Sequence, residues 1–572
     1  MYLGINLGTS EVKVLLLAST GRVIGTAGSP FTVSRPHQRW AEQNPEDWWT
    51  GTRSALAALR AKHPDEFAQI RGIGLSGQMH GAVLLDAEDR VLRPAILWND
   101  MRSDKECAEL TGRAPDLHSV AGNLAMPGFT APKLLWVARH EPDIFARTAC
   151  VLLPKDYLRL QLTGGKVSDP SDAAGTLWLD VAKRDWSDSL LAACNMTRAQ
   201  MPGLAEGSAP SGTLLPQVAR ELGLSDGVIV AAGGGDNATS AIGIGATQPG
   251  DGFVSLGTSG VLCVVGDSFR PNPASAVHAF CHAIPDRWHQ MSVVLSAASC
   301  LRWVCKLTST DEPTLLAEIE ALPADALNTA PLFLPYLSGE RTPHNDPYAQ
   351  GVFFGMNHAT DRALLGYAVL EGVTLALTDG LDALRAAGTE AKALSLLGGG
   401  ARSDYWAQLL ADALDTATRK HGGETGAALG AAGSRRAAIR RPCSANRPSR
   451  SSSRRIRAVM PDCARGSTLT ARCIVTFGRS SIRRANGSPE RESTAQTAAG
   501  RVARRPGHAG CYHRRPSSGS SQCPSPQKNS TLLLAPRGST TSRATPRTRS
   551  PRSCRCRVRS RSGSSLSQWK RT

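Results

Sequence analysis

One tetrapeptide, Leu-Gly-Thr-Ser, occurs twice in this chain, at Leu7–Ser10 and at Leu256–Ser259. The first copy lies in GINLGTSEVKVLLL from Gly4, and the second lies in GFVSLGTSGVLCVV from Gly252. Two apolar runs joined by Gly and hydroxyl residues predict a β-hairpin with a tight turn. Such a turn directs backbone N–H groups at one small volume and suits an anion such as phosphate. Two distant copies therefore predict a duplicated domain with a nucleotide between the halves.

The charge of the 572-residue chain changes abruptly near residue 433. From Gly433 to the end there are 32 Lys and Arg against 3 Asp and Glu, whereas residues 1–432 hold 34 basic and 45 acidic residues. The tail therefore accounts for the net charge of +18, and the mildly acidic body gives no indication of a nucleic-acid groove. Because the tail is rich in Arg, Ser and Pro and lacks apolar periodicity, we expect low order in it.

The body has the composition of a cytoplasmic enzyme without a membrane partner. Asn6 and Glu11 interrupt the first apolar stretch, which also lacks the basic start of a signal peptide. No run of about 18 uninterrupted apolar residues predicts a membrane span. A nucleic-acid-binding role for the tail is one alternative, although the tail has almost no aromatic residues to accompany its charge.

Strand-like and helix-like segments alternate along the body, which predicts an α/β fold. Asn44 and Pro45 have the sequence of a helix start, and Ile70–Leu75 is typical of a buried strand. Val228–Ala232 and Leu394–Leu397 are further predicted strands, each followed by three glycines. We predict three parts: residues 1–247, residues 248–432 and the tail 433–572.

The strongest candidate for chemistry is Asp236, which follows the predicted strand Val228–Ala232 and its three glycines. A charged carboxylate at a strand end can orient and deprotonate a substrate hydroxyl, as phosphoryl transfer to an alcohol requires. A helix beginning behind Asp236 would favour the charged form of its carboxyl group. The alternative is a helix N-cap that has no part in chemistry.

Four other loops carry polar residues in positions that suit ligands. Ser76–Gly81 (SGQMHG) suits a hydroxyl-rich ligand, and Leu397–Ser403 (LGGGARS) would let a nucleotide approach the backbone closely. Leu334–His344 either lines a cleft or only packs. Trp98–Asp100, with Arg102, either holds a sugar or forms a local ion pair.

Together these motifs resemble the FGGY carbohydrate kinases over residues 1 to about 432. Within the family they are most similar to the members that phosphorylate D-xylulose. The segments that carry the resemblance are Gly77–Gly81, Arg93–Asp100, Gly128–Trp136, Leu153–Tyr157, Asp169–Thr176 and Ser338–His344.

The resemblance implies two ribonuclease-H-like domains of the actin and Hsp70 ATPase type around a cleft. It implies ATP-dependent phosphorylation of D-xylulose to D-xylulose 5-phosphate, with Mg²⁺ as cofactor and Asp236 as general base. The implied sugar-binding residues are Gln78, Met79, His80, Trp98, Asp236 and Asn237. The implied nucleotide-binding residues are Gly8, Thr9, Ser10, Lys13, Gly257, Thr258, Ser259, Gly399, Gly400 and Ala401. The implied magnesium ligands are Asn6 and Asp236, and Asn6 thereby takes a catalytic role.

Two departures from the family pattern predict impaired activity. The first hairpin carries Asn6 where the family has Asp, and an amide lacks the charge that Mg²⁺ favours. The change of composition near Ala432 suggests a shifted reading frame, which resequencing of the coding DNA would test. Ribulose, gluconate or glycerol as substrate, and an inactive ATP-binding protein, remain alternatives. A homodimer is also left open.

Overall fold

The computed structural model describes residues 1–421 and 426–439, with side chains as far as residue 434. The tail predicted to begin at residue 433 needs a correction, because a helix, Ala427–Ile439, continues past that point. Residues 440–572, on which the rest of that prediction falls, lie outside the described residues.

The first half of the chain, residues 1–247, contains fifteen described strands and eleven described α-helices. The strands are β1 (Tyr2–Leu7), β2 (Glu11–Leu17), β3 (Val23–Pro30), β4 (Glu42–Gln43), β5 (Gly72–Gly77), β6 (Val83–Leu85), β7 (Ala95–Ile96), β8 (Cys150–Leu152), β9 (Val167–Ser168), β10 (Leu179–Asp180), β11 (Asp185–Trp186), β12 (Gly203–Leu204), β13 (Pro210–Thr213), β14 (Ile229–Ala231) and β15 (Gly234–Gly235). The helices are α1 (Pro45–Lys62), α2 (Pro64–Ala68), α3 (Asp104–Arg113), α4 (Leu117–Val120), α5 (Thr130–His140), α6 (Pro142–Arg147), α7 (Pro154–Thr163), α8 (Pro170–Ala173), α9 (Asp188–Ala193), α10 (Pro216–Leu222) and α11 (Asp236–Gly243).

The second half, from residue 248 onwards, has eight described strands and five described α-helices. The strands are β16 (Asp251–Leu256), β17 (Gly260–Gly266), β18 (His278–Cys281), β19 (Trp288–Val294), β20 (Leu332–Leu334), β21 (Val352–Phe354), β22 (Ala393–Leu397) and β23 (Ala417–Lys420). The helices are α12 (Ala298–Leu307), α13 (Glu312–Glu320), α14 (Arg362–Ala386), α15 (Asp404–Leu414) and α16 (Ala427–Ile439).

The two main sheets repeat one topology. Five strands of the first sheet lie in the order β3-β2-β1-β5-β14, and five of the second lie in the order β19-β17-β16-β22-β23. In both sheets the first three strands are antiparallel neighbours and the remaining two continue parallel to the hairpin's first strand. The duplicated domain predicted from the repeated tetrapeptide is thus confirmed. The first copy joins β1 to β2, and the second joins β16 to β17.

Each sheet buries its own apolar core. In the first, Leu3, Ile5 and Leu7 of β1 are fully buried, and α1 begins at the predicted cap, where Asn44 accepts the Glu46 N–H at 3.4 Å. In the second, α14 is long and apolar enough to cross a membrane, but 78% of its most apolar window is buried inside the protein. The apolar character of α14 therefore serves the core of the second half.

Helix α16 lies on the sheet of the first half, although it follows the strands of the second. A Cβ atom added at Gly4 of β1 would lie 1.9 Å from the carbonyl oxygen of Ala428, and one at Gly74 of β5 would lie 1.9 Å from that of Ala431. A Cβ at Gly430 would lie 1.7 Å from the carbonyl oxygen of Thr239 in α11. Glycine is therefore required at each of these contacts, where backbones approach too closely for a side chain.

Candidate active site

The carboxyl ends of three neighbouring parallel strands bring the predicted residues of the first half together. Asn6 of β1 is in register with Ser76 of β5, and Ser76 is in register with Gly234 of β15. The Ser76 hydroxyl lies 2.7 Å from the hydroxyl of Thr239 in α11. Because residues in register point to the same face of a sheet, Asn6 faces the side on which α11 begins with Asp236.

Asp236 is a partly buried carboxylate at the start of α11, and the Asn237 amide donates to its Oδ1 at 3.1 Å. Burial raises its pKa from 3.8 to about 6, against a smaller lowering by the backbone N–H groups of Asn237 and Asp236. The helix N-terminus acts in the predicted direction, but the loss of solvent is the larger effect, so the expected stabilisation of the charged form needs correction. The carboxyl group is still mostly ionised at neutral pH.

Met79 lies directly against the glycines that precede Asp236. A Cβ added at Gly235 would lie 2.9 Å from the Met79 sulfur, and one added at Gly175 would lie 3.0 Å from the Met79 methyl carbon. Met79 is 5% exposed. It therefore forms an apolar wall beside the carboxylate.

His80 is held in a defined orientation and protonation state. Its Nδ1 lies 2.6 Å from the carbonyl oxygen of Gly175, so Nδ1 carries the hydrogen and donates. Burial lowers its pKa to about 3, so the ring is neutral and Nε2 is left as an acceptor. The backbone of His80 has a positive φ of 70°, and its carbonyl accepts from Thr130 Oγ1 at 3.1 Å and Lys133 Nζ at 2.8 Å. Sequence reasoning missed Gly175, Thr130 and Lys133, because nothing local to them reports contact with His80.

Gln78 and Trp98 both contact the first hairpin. The hydroxyl of Thr9 donates to Gln78 Oε1 at 2.9 Å and accepts from Trp98 Nε1 at 2.9 Å. The Gln78 amide also donates to Gln43, and Gln78 is 2% exposed, so its polar atoms are engaged within the protein. Trp98 is 47% exposed and presents a surface rather than a buried contact.

The first turn is closed by a hydrogen bond from the Gly8 N–H to the Glu11 carbonyl at 2.9 Å, and Ser10 is exposed. Lys13 lies directly opposite Asn6 across the hairpin. Opposite residues of an antiparallel pair have side chains on the same face, with Cβ atoms about 5 Å apart. Lys13 therefore shares the face of Asn6.

The second hairpin meets the predicted nucleotide loop at the edge of its own sheet. The carbonyl of Thr258 accepts from Ala297 N at 2.9 Å and from Ser299 Oγ at 2.7 Å, which fixes the turn against the start of α12. Ser255 of β16 is in register with Leu397 of β22, so the glycines that follow β22 lie beside the turn.

The three glycines of this loop differ in their surroundings. A Cβ at Gly398, where φ is +87°, would lie 2.5 Å from the Leu256 carbonyl oxygen, whereas Gly399 has nothing within 4 Å. Gly400 lies against Leu256 and Trp406, and Ala401 is 5% exposed within the second core. Open space for a ligand is therefore found at Gly399.

A divalent cation would find a donor set here of one carboxylate, Asp236, and one amide oxygen, Asn6 Oδ1. That amide oxygen is buried and has no hydrogen-bond partner among the described residues. Across the part of the chain that the structure describes, no cluster of three or more His, Cys, Asp and Glu side chains could hold a metal by itself. Mg²⁺ commonly binds through one or two carboxylates plus substrate phosphates. The residues therefore fit a magnesium ion shared with a nucleotide.

Arg341, in a polar loop of the second half, lies near the sugar-site residues of the first. Its charge helps to lower the pKa of both His80 and His278, although burial is the larger cause for each. The Arg341 guanidinium has no hydrogen-bond or ion-pair partner in the described part of the chain. The polar loop Leu334–His344 was the sequence signal for it, and the lining of a cleft by this loop stays a prediction.

The sequence matches one enzyme family over both halves. Residues 1–243 match the N-terminal domain of the FGGY family of carbohydrate kinases, and residues 252–438 match the C-terminal domain of that family.

The chain is similar to curated xylulose kinases and to solved structures. It is 56% identical over 437 residues to the xylulose kinase of Escherichia coli (strain K12), covering 76% of this chain and 89% of that protein. It is 40% identical over 433 residues to the xylulose kinase of Bacillus subtilis (strain 168), covering 75% and 86% respectively. A solved "xyloylose kinase" from Brucella ovis has a TM-score of 0.78 at 49% identity, covering 84% of this chain and 99% of that one. On these matches, the chain belongs to the FGGY family of carbohydrate kinases.

Proposed function

We propose that this chain transfers the γ-phosphoryl group of ATP to O5 of D-xylulose, giving ADP and D-xylulose 5-phosphate. The observation that carries the proposal is the partly buried carboxylate of Asp236 at the strand edge, beside Met79 and the neutral ring of His80. The similarity to xylulose kinases, 56% identical in one case, supports this sugar over ribulose, gluconate or glycerol.

The sugar binds at the edge of the first sheet. His80 Nε2 accepts a hydrogen bond from a sugar hydroxyl, because Nδ1 is already committed to Gly175. Asp236 and Asn237 contact the reacting end, Met79 covers an apolar edge of the sugar, and Trp98 forms an outer wall. Gln78 acts indirectly, since its amide is bonded to Thr9 and Gln43.

In the reaction, Asp236 removes the proton from the O5 hydroxyl as that oxygen attacks the γ-phosphorus. The bond between the γ-phosphorus and the β,γ-bridging oxygen breaks, and ADP leaves. A carboxyl group with a pKa of about 6 is mostly ionised at neutral pH and is a better proton acceptor than an ordinary aspartate. Positioning and charge neutralisation supply most of the catalysis in such transfers, and Arg341 adds positive charge where the phosphoryl group arrives.

The nucleotide binds between the two hairpins. Gly257, Thr258 and Ser259 offer backbone and hydroxyl donors to its phosphates, and Gly399 and Gly400 approach its other end through the open space at Gly399. On the first hairpin, Gly8, Thr9, Ser10 and Lys13 face the transferred phosphate. When bound, Mg²⁺ would neutralise charge on the phosphates, and Asn6 and Asp236 would be the residues that hold it. The uncharged Asn6 weakens this site, so we expect reduced turnover.

The remaining proposals concern organisation. We propose a sugar-binding domain over residues 1–247 and a nucleotide-binding domain from residue 248, with a cytoplasmic location and no nucleic acid as partner. Helix α16 modifies the division, because it belongs to the second part by sequence and packs on the first. A homodimer is consistent with this organisation.

The test is ADP release by the purified full-length chain with ATP and Mg²⁺, measured by a coupled assay with each candidate sugar in turn. We expect D-xylulose to give the highest kcat/KM and the product to be D-xylulose 5-phosphate by mass spectrometry and NMR. Higher kcat/KM with ribulose, gluconate or glycerol would replace xylulose as the substrate. ADP release that is independent of every sugar would favour an ATP-binding protein without kinase activity.

A further inference from the structure

The segment that delivers Asp236 to the active site has no side chains of its own to hold it. Gly233, Gly234 and Gly235 join β14 to α11, and Gly233 has a φ of +80°. Their close packing requires glycine, since a Cβ at Gly233 would lie 2.2 Å from the carbonyl oxygen of Leu75. Three successive glycines are also the most flexible sequence available. The position of the carboxylate therefore depends on contacts that other residues make with this backbone.

Arg159 of α7 holds the upstream end of the segment. Its fully buried guanidinium donates from Nη1 to the carbonyl of Ala231 at 2.8 Å and from Nη2 to the carbonyl of Ala232. Its Nε donates to the carbonyl of Val167 at 2.8 Å. Because guanidinium is planar and rigid, these bonds fix the direction in which the chain leaves β14.

Ser171 of α8 holds the downstream end. Its hydroxyl accepts from the N–H of Gly235, the residue before Asp236, at 3.1 Å and donates to Asp169 Oδ2 at 2.5 Å. Asp169 Oδ2 also accepts from the Ser171 N–H at 2.8 Å. Since a carboxylate can only accept, the hydroxyl hydrogen must point to Asp169, which leaves a lone pair for Gly235.

Both contacts are fixed by one buried group of charges. Lys155 Nζ lies 2.5 Å from Asp156, 2.9 Å from Asp169 and 3.2 Å from Asp172, and Arg159 lies 3.6 Å from Asp156. All five side chains are fully buried. Burial is the largest cause that raises the pKa of Asp172, and the charge of Lys155 acts against it. Buried charges this well paired hold their geometry, because separating any pair leaves a charge without solvent.

We propose that Arg159 and Ser171 are positioning residues, which hold the glycine segment at both ends and so set the place of the Asp236 carboxylate. The proposal rests on the proposed role of Asp236 as general base. Neither side chain touches substrate, and both act through the backbone on either side of the three glycines. A displacement of about 1 Å at a reacting group can cost roughly 100-fold in rate.

The chain offers a matched pair of serines for the test. Ser168, like Ser171, is fully buried, but its hydroxyl has no hydrogen-bond partner among the described residues. We expect Ser171→Ala to lower kcat roughly tenfold or more, with KM for ATP within twofold of the parent. The same variant should lower kcat/KM for xylulose in step with kcat, since a misplaced carboxylate slows the transfer step and leaves substrate binding intact. Ser168→Ala should change neither quantity, and its melting temperature gives the cost of a lost buried hydroxyl.

Two more variants grade the effect. Ser171→Cys keeps the shape with weaker hydrogen bonding and should fall between parent and alanine. Arg159→Lys keeps the charge but loses the fork, and should lower kcat like Ser171→Ala. Equal kcat and equal kcat/KM for xylulose in Ser171→Ala and Ser168→Ala would overturn the proposal, and so would a loss confined to KM for ATP. If Ser171→Ala does not fold, the cysteine and lysine variants decide by the same two measurements.

Failure of the proposed base would be seen separately. If Asp236→Asn retains the parent's turnover, Asp236 is not the base, whatever the serine variants do. If Asp236→Asn is impaired, adding Ser171→Ala to it should cost little more, because the serine acts through the carboxylate. An undiminished loss in the double variant would show that Ser171 acts elsewhere and would reject the positioning role.

Discussion

The two hairpins share the tetrapeptide Leu-Gly-Thr-Ser at the turn and the same place in their sheets, but their threonines make different contacts. The hydroxyl of Thr9 is bonded to Gln78 and Trp98, residues of the proposed sugar site. The hydroxyl of the exposed Thr258 has no partner among the described residues, while its carbonyl is fixed to Ala297 and Ser299. The first turn is therefore joined to the sugar loop, and the second leaves its hydroxyl open to a ligand.

The residue that precedes each repeat differs as well. Asn6 precedes the first copy and has a buried amide oxygen without a partner in the described chain, whereas Ser255 precedes the second and pairs with Leu397 beside the glycine loop. One repeated motif thus marks two sites of different chemistry. What it identifies is a shared strand arrangement, and the role of each copy follows from its neighbours.

The largest expected effect concerns Asp236, at the sheet edge of the first hairpin. We expect Asp236→Asn to lower kcat with D-xylulose by roughly 10²–10⁴-fold, the usual contribution of a general base. The matched control combines Asp236→Asn with Asn237→Asp, which keeps a carboxylate nearby but in a different position. This double variant should turn over no faster than Asp236→Asn alone. Steady-state ADP release measures both. Near-parental rates for Asp236→Asn would show that Asp236 is not the general base, and the proposed chemical difference between the two hairpins would then be wrong.

The pH profile gives the next largest effect. The proposed mechanism requires the ionised carboxylate, and burial raises the pKa of Asp236 from 3.8 to about 6. kcat/KM for xylulose should therefore fall about tenfold per pH unit below pH 6. An acidic limb near pH 4 would indicate that an ordinary, solvated carboxylate acts instead.

The same pKa shift predicts a gain in stability from Asp236→Asn. A carboxyl group whose folded pKa is raised makes the folded state less stable as pH rises from 3.8 through 6, because the unfolded chain ionises more readily. One pKa unit corresponds to about 1.4 kcal/mol, so the variant should gain about 2 kcal/mol at pH 7.5 after allowance for partial exposure. Urea unfolding should show this gain at pH 7.5 and none at pH 3.5.

Asn6→Asp tests the asymmetry at the metal. A carboxylate is a better Mg²⁺ ligand than an amide. We expect the Mg²⁺ concentration that gives half-maximal turnover to fall at least tenfold, since even changes outside the ligand shell alter metal affinity by about 10–100-fold. Mn²⁺ binding by electron paramagnetic resonance, measured with ADP and without turnover, should tighten in parallel. Unchanged affinity in both measurements would show that Asn6 is not at the metal site.

Thr9→Val and Thr258→Val compare the two turns directly. Thr9→Val removes two hydrogen bonds to residues of the proposed sugar site. If their loss weakens xylulose binding by about 1 kcal/mol in total, KM for xylulose rises about fivefold. Thr258→Val should raise KM for ATP by a similar factor and leave KM for xylulose unchanged. Equal effects of both variants on both substrates would mean that the turns act alike.

The smallest expected effect on rate, and a clear one on stability, comes from two adjacent glycines beside the second hairpin. Gly398→Ala forces a side chain onto a positive φ and against the Leu256 carbonyl, and should cost about 2 kcal/mol in unfolding free energy. Gly399 has a φ of −64° and open space around it, so Gly399→Ala should unfold like the parent and raise only KM for ATP. Denaturant unfolding with ATP titration separates the two outcomes.

Local pattern was sufficient for the elements that depend on neighbouring residues. The hairpins, the cap at Asn44 and the strand before Asp236 form where propensity, turn chemistry and apolar alternation agree. The burial of Asp236 was not predictable, because it depends on Met79 and on packing from distant segments. Lys133 and Gly175 were missed for the same reason, since both meet His80 across 50 residues or more of chain.

The sequence by itself determined that two copies of one strand arrangement exist and that a carboxylate follows a glycine segment at the end of a strand. Only the tertiary structure decided that Thr9 contacts the sugar loop while Thr258 stays open, that His80 presents Nε2, and that α16 lies on the first sheet. The physical reason is range. Hydrogen bonding and alternation within a hairpin act over a few residues, whereas solvent exclusion, charge pairing and backbone contact act between segments that the fold alone brings together.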